Sequence, residues 1–180
     1  ALAAEPSRQA IGRAVELAVA AKVPVTFDVN LRPSLWPDLA AVRDVCLPII
    51  QRSTLLKLSL DDAHHVFDTG TDPEAAVEAA RRHAPNLIVL TDGARGAWFV
   101  DEAGTVRHVP AFEVEAVEPT GAGDAFTAAL VSRLLARDWS PPDASDVRYA
   151  SAAGALATVK AGALEGLPTA SDLITFLAAS

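Results

Sequence analysis

The sequence predicts a layered α/β fold, and three observations carry that prediction. Short apolar runs rich in β-branched residues alternate with longer stretches of helical period. Two of these runs end in polar, glycine- or proline-containing segments, as strands do where their carboxyl ends face a ligand. Half of the residues are apolar (51%) but only 6% are aromatic, so the core is built from Ala, Val and Leu. At 180 residues the chain suffices for one sizeable core and one domain.

Taken in order, residues 7–21 carry Ile11, Val15, Ala18 and Val19 at helical spacing, and Lys22, Val23 and Pro24 end that helix. Residues 23–29 (VPVTFDV) read as a short buried strand. The segment 28–33 (DVNLRP) follows, where polar residues alternate and a proline stops the element. Asp28, Asn30 and Arg32 are thereby placed to contact a polyol or an acid. The alternative is a solvated loop with a local Asp–Arg pair. Residues 36–52 look helical but contain Pro48, which predicts a kink or an early stop. Residues 55–59 (LLKLS) read as a second strand, and residues 60–63 open a helix. Asp61 and Asp62 either favour that helix N-terminus, or one of them orients a magnesium ion through water. His64 and His65 are adjacent, so on a helix they diverge and belong at the surface.

Asp72 and Pro73 form an N-cap and first-position pair for a helix over 73–84. Residues 86–91 (NLIVLT) are the clearest strand and lead into residues 92–96 (DGARG). Residues 97–100 and 105–109 pair as a hairpin around 102–104. Further on, Pro141 and Pro142 separate two helices. Residues 146–161 read as an Ala-rich helix closed by Gly162, and a last helix spans 171–178. No internal repeat or low-complexity linker interrupts this order.

The net charge of −8 and pI near 4.9, with both signs scattered, argue against a nucleic-acid partner. A phosphorylated small molecule is still allowed, because local amides and a metal can bind it against a net negative field. No apolar run approaches the roughly 20 residues of a membrane span. The N-terminus lacks a basic region followed by an apolar block, so no signal peptide is expected. It also lacks a Met and opens in mid-pattern, which points to a piece of a longer chain. A single cysteine, Cys46, excludes an intrachain disulfide and fits a reducing cytoplasm.

The chemistry concentrates in residues 118–126 (EPTGAGDAF). Gly121 and Gly123 flank a small residue, Asp124 follows, and Phe126, Leu130 and Leu134 then mark one apolar stripe of a helix. Such a turn presents free backbone N–H groups at a helix N-terminus, which is an anion site. A carboxylate there would repel a phosphate, so Asp124 needs a reason, and general-base work on an attacking hydroxyl supplies one. The plain alternative is a glycine turn with an acidic N-cap. A dinucleotide fingerprint fits poorly, because Phe126 stands at the third glycine position.

With these pieces in order, the whole chain resembles the PfkB (ribokinase-like) carbohydrate kinases. The segment 119–130 (PTGAGDAFTAAL) is similar to the family's C-terminal signature, which implies Asp124 as catalytic base and the amides of Gly121, Ala122, Gly123 and Asp124 as anion hole. Residues 91–96 (TDGARG) resemble the segment at the nucleotide, which implies Thr91 and Gly93 near ATP. Residues 150–163 resemble the helix and loop beside the adenine, where Ser151 stands in place of a common Asn. Residues 27–38 (FDVNLRPSLWPD) are similar to the sugar-side segment of fructokinases and 2-keto-3-deoxygluconate kinases, which implies Asp28, Asn30 and Arg32 as substrate contacts.

Asp62 falls where the family has a Glu near magnesium, and Glu118 falls where it usually has an Asp linked to a monovalent cation such as potassium. The resemblance implies a ribokinase-like three-layer αβα sandwich that lacks the N-terminal part and the β lid. Residues 1–180 would then be the C-terminal part of a PfkB-type sugar kinase domain. It further implies ATP and Mg2+ as cofactors, a small-molecule sugar as substrate, and a full-length homodimer formed through the lid. Fructokinase activity is the expectation, with 2-keto-3-deoxygluconate kinase as the near alternative. A nucleotide-binding fragment without activity is the alternative of a different class.

Overall fold

Parallel strands buried on both faces read as near-continuous apolar runs, and the strands over 55–59 and 87–91 follow this pattern except at Lys57. In the computed structural model, which describes residues 1–83, 87–162 and 164–180, the chain divides into two compact units, 1–91 and 92–180. The first unit opens with α1 (Ser7–Ala20), then β1 (Thr26–Asp28), a 3₁₀ turn (Pro33–Leu35) and α2 (Ala41–Ile50). It continues with β2 (Leu55–Ser59), α3 (Leu60–Phe67), α4 (Pro73–Arg81) and β3 (Leu87–Thr91). β1 pairs parallel to β2 with Asp28 opposite Lys57, and β2 pairs parallel to β3 with Ser59 opposite Thr91. Leu55, Leu56, Leu58, Ile88, Val89 and Leu90 are buried and form the centre of the core.

The second unit holds a 3₁₀ turn (Gly93–Arg95), β4 (Ala97–Val100), β5 (Val106–Val109), α5 (Ala122–Ala136), α6 (Ala144–Thr158) and α7 (Ala170–Ala179). β4 and β5 are antiparallel, and Trp98 stacks on its cross-strand partner His108 at 4.2 Å between ring centroids. Gly96 is fixed by this hairpin. Its φ is +100°, and a β-carbon there would stand 2.2 Å from the Val109 carbonyl oxygen. Phe126, Leu130 and Leu134 are all buried, as the stripe predicts.

Several expectations need correction. The strand expected over 23–29 shrinks to three residues and is not buried: Val23 and Thr26 are exposed, and Phe27 and Asp28 are half-buried. Pro24 cannot donate to a ladder, and β1 is an edge strand paired only with β2, so its start stays exposed. The helix expected over 36–52 begins at Ala41, after Pro37. Asp38 takes the Ala40 amide at 2.9 Å. Pro48 stands in its last turn, and the helix ends two residues later. α6 starts at Ala144 rather than 146 because Asp143 caps it, accepting from the amides of Ser145 and Asp146. It ends at Thr158 rather than 161, where the amides of Val117 and Glu118 take the Thr158 carbonyl. Ala84, Asn86 and Ala163, the outer residues of three expected segments, lie outside the described residues.

Candidate functional site

In the first unit, the chain turns sharply after β1. Asn30 adopts φ +43°, a left-handed conformation that Asn tolerates better than most residues. That turn aims the Leu31 amide at Asp62, which accepts it on Oδ1 at 2.8 Å. Oδ2 of the same carboxylate accepts from the Ser59 amide at 2.8 Å, and Ser59 Oγ accepts from the Asp62 amide at 3.0 Å. This is a capping box at the start of α3, with a second bond that ties the β1 loop to it. A cavity of about 370 Å³ opens beside these residues, lined among others by Asn30, Arg32, Lys57, Ser59, Asp62 and His65. Arg32 Nη1 donates to the Asn30 side-chain oxygen at 2.6 Å. The local pair is thus Asn–Arg, and Asp28 is engaged elsewhere. His64 is exposed and His65 half-buried, and their rings tilt 60° to each other.

The residue the sequence reading passed over is Lys57. Its Nζ lies 3.2 Å from Asp28 Oδ1 and 3.1 Å from Oδ2, with side chains only 7% and 17% exposed. A charged pair held this far from water costs desolvation that geometry must offset. A lysine in the middle of Leu55, Leu56 and Leu58 was the available signal, because nothing in a buried strand calls for one. Cys46, by contrast, is a buried thiol pushed up to about 11, first by burial and then by the Asp62 charge, and no nucleophile.

In the second unit, Gly121 is the N-cap of α5 with φ +88°. Its carbonyl accepts from the Ala125 amide at 2.8 Å. The Ala122 amide is spent on the Pro119 carbonyl at 3.2 Å, so this member of the expected anion hole is already bonded. Gly123 and Asp124 belong to the first helical turn, where amides have no intrahelical acceptor. Asp124 is therefore not the cap. It occupies the third helical position, as Asp62, Asp146 and Asp172 do in α3, α6 and α7. Those three return a carboxylate oxygen to the amide of a Ser, Asp or Thr cap. In α5 the cap is a glycine without a side chain, and the exposed Asp124 carboxylate accepts no hydrogen bond among the described residues. The plain capping account of Asp124 thus falls away.

α6 lies close against this turn. A β-carbon on Gly154 would stand 3.2 Å from the Ala122 carbonyl oxygen, so only a glycine fits there without displacement. A lone glycine inside an Ala-rich helix was its sequence signal. Ser151 sits half-buried three residues earlier on α6. Gly93 begins the 3₁₀ turn with φ +48°, and Thr91 ends β3 in the first unit.

As to metals, both oxygens of Asp62 already accept backbone N–H bonds, an arrangement that fits contact with a hydrated magnesium ion rather than direct ligation. Glu118 accepts from the Gly162 amide at 2.8 Å, and donors from Gly162 and then Thr120 hold its carboxyl below the usual range. Among the described residues no three His, Cys, Asp or Glu side chains cluster to hold a metal, and no helix is long and apolar enough to cross a membrane.

Residues 2–170 match the profile of the pfkB family carbohydrate kinases. The chain is 32% identical to a fructokinase of Vibrio alginolyticus over 98% of its own length and 58% of that protein. It is 36% identical to a fructokinase of Klebsiella pneumoniae over 96% of its length and 57% of that protein. Among solved structures, it superposes with a TM-score of 0.87 and 30% identity on a double mutant of Vibrio cholerae fructokinase bound to fructose, ADP and a potassium ion, covering 98% of this chain and 57% of that one. An aminoimidazole riboside kinase of Salmonella enterica, complexed with aminoimidazole riboside and an ATP analog, gives 0.85 at 29% identity, covering 98% and 59%. The chain thus has a ribokinase-like fold and spans a little over half the length of these relatives.

Proposed function

Because the chain belongs to the pfkB family of carbohydrate kinases, we propose that the full-length protein transfers the γ-phosphoryl group of ATP to a sugar hydroxyl, with fructose as the acceptor. The observation that carries the proposal is Asp124: a carboxylate on an anion-binding turn, left without a capping partner by Gly121. The hydroxyl oxygen attacks the γ-phosphorus, the bond to the ADP oxygen breaks, and the hydroxyl proton passes to Asp124. The amides of Gly123 and Asp124, with Gly121 and the α5 dipole, stabilise the charge on the group in flight. Thr91, Gly93 and Ser151 serve the nucleotide. Asp28, Asn30 and Arg32 serve the sugar, with Lys57 holding Asp28 in place.

Magnesium, when bound, neutralises phosphate charge, and Asp62 would meet it through water. The near alternative acceptor is 2-keto-3-deoxygluconate, since a guanidinium at the cavity wall suits a carboxylate. The fructokinase names of the relatives favour the neutral sugar. The buried, unpaired Cys46 is in keeping with a cytoplasmic enzyme.

The test is Asp124→Asn in the full-length gene product. It keeps shape and hydrogen bonding but cannot take a proton. We expect kcat to fall about 10²- to 10⁴-fold, with the KM for ATP nearly unchanged. Turnover equal to wild type would remove Asp124 as the base.

A further inference from the structure

Outside the proposed chemistry, three features stand out: an ion cluster between α5 and α6, the buried Cys46 thiol, and the loop before the anion turn. The cluster of Arg133, Arg137 and Asp146 joins α5 to α6 and does not line the cavity described above. The buried Cys46 thiol is held protonated by burial and by the Asp62 charge. The loop that precedes the anion turn carries more.

From that loop we infer that Glu118 is a positioning residue, a clasp that fixes the anion turn to the exit of α6 and takes the place a cation would otherwise fill. The inference rests on the reading of residues 121–124 as the phosphoryl site. Glu118 lies three residues before Gly121, with only Pro119 and Thr120 between them. Its carboxylate accepts from the Gly162 amide, 44 residues away in sequence, at 2.8 Å. Its own amide and that of Val117 both donate to the Thr158 carbonyl, at 3.0 and 2.8 Å. The Thr120 hydroxyl donates to the same carboxylate from within the loop.

Three hydrogen bonds thus join residues 117–118 to residues 158–162. Gly162 can offer its amide because it adopts φ +95°, and the Gly166 amide in turn bonds the Gly162 carbonyl at 2.9 Å. The loop after α6 is folded back by its own glycines so that one N–H meets the carboxylate. Charge explains the choice of residue. A carboxylate forms a stronger bond to a backbone N–H than a neutral acceptor does. Three backbone donors and a hydroxyl converge on the Glu118 carboxylate and the Thr158 carbonyl, so the contact between these loops closes with protein groups alone. A cation at Glu118 would compete with the Gly162 and Thr120 donors for the charge of the same carboxylate.

The experiment uses the full-length gene product and two variants, Glu118→Ala and Glu118→Gln. Glutamine keeps an acceptor oxygen for the Gly162 amide and discards the charge that a cation needs. Amide hydrogen exchange is read over peptides covering 117–121 and 158–162, and sugar-dependent ADP release is read in potassium, sodium and tetramethylammonium chloride. We expect faster exchange in both peptides for Glu118→Ala, and kcat lower by about tenfold to a hundredfold with the KM for sugar little changed. We expect Glu118→Gln to restore exchange protection and to return kcat to within about threefold. Wild-type turnover should be the same in all three salts. Unchanged exchange in Glu118→Ala, a Glu118→Gln variant as impaired as Glu118→Ala, or collapse of wild-type turnover in tetramethylammonium would each overturn the clasp. If the wild type shows no sugar-dependent turnover at all, the kinase reading fails, while hydrogen exchange still decides the clasp.

Discussion

A lysine enters a buried strand only where an acid meets it, and Lys57 meets Asp28 across paired positions of β2 and β1. Removing one partner strands the other charge. Asp28→Ala is therefore expected to destabilise the protein by about 3 kcal/mol, read as a shift in the urea midpoint. Replacing both, as Asp28→Leu with Lys57→Met, is expected to recover most of that stability while sugar-dependent turnover remains lost. A double variant that regained turnover would reduce the pair to packing. Asp124 raises the opposite question, since it stabilises nothing visible. Its third-position placement recurs in α3, α6 and α7, and only in α5 does the carboxylate lack a reciprocal cap among the described residues. The sequence already marked it as the odd residue of the turn. That Gly121 rather than an acid is the cap depended on backbone dihedrals that no pattern discloses.

At the scale of elements, α5 and α6 pair through a buried acid. Asp146 is fully buried, accepts from Arg133 Nε at 2.9 Å and is bonded by Arg137, while Arg137 also reaches Asp143 at 2.9 Å. Asp146→Ala leaves two guanidinium groups without their shared partner and removes one half of the α6 capping box. Because both arginines stay partly in water, the loss is expected at the low end for a broken buried pair, about 3 kcal/mol. It should appear in chemical denaturation with an unchanged slope. A change under about 0.5 kcal/mol would contradict this account.

Helices and strands of this kind were largely legible beforehand. The apolar runs at 55–59 and 87–91, the Asp72–Pro73 start and the hairpin all follow from local chemistry. The misses lie where a tertiary partner overrides the local pattern. β1 is short because its start is left uncovered, and α6 ends early because the 117–118 segment takes its last carbonyl.

At the scale of the whole molecule, four carboxyl groups among the described residues sit below their ordinary values. Asp101 is held by Arg107, Glu118 by the Gly162 amide, Asp143 by Ser145 and Asp172 by Thr169. The unfolded chain takes up these protons first as the pH falls. Stability from these groups is therefore complete above the usual carboxylate range, near about 4, and is lost as the pH drops through the lower folded values. Thermal melts should be flat between about pH 5 and 7 and fall steeply below about 4. A melting temperature that rose on acidification would show that other groups dominate.

The site was legible in its motifs and less so in its geometry. Asp28, Asn30, Arg32 and Asp62 were named from the sequence, but the buried lysine paired with Asp28 was not. In the second unit, the turn was named, but not the Ala122 amide's prior bond or the close approach of Gly154. Each of these depends on contacts between segments distant in sequence, which periodicity and capping rules do not reach.

The most direct measurement is ADP release by the full-length gene product with ATP and magnesium, compared across fructose, 2-keto-3-deoxygluconate, ribose and no sugar. Strong dependence on fructose, abolished by Asp124→Asn, is the predicted result. Preference for the keto acid would keep the kinase and reassign Arg32 to a carboxylate. ATP binding without any sugar-dependent release would contradict the central claim and leave a nucleotide-binding protein.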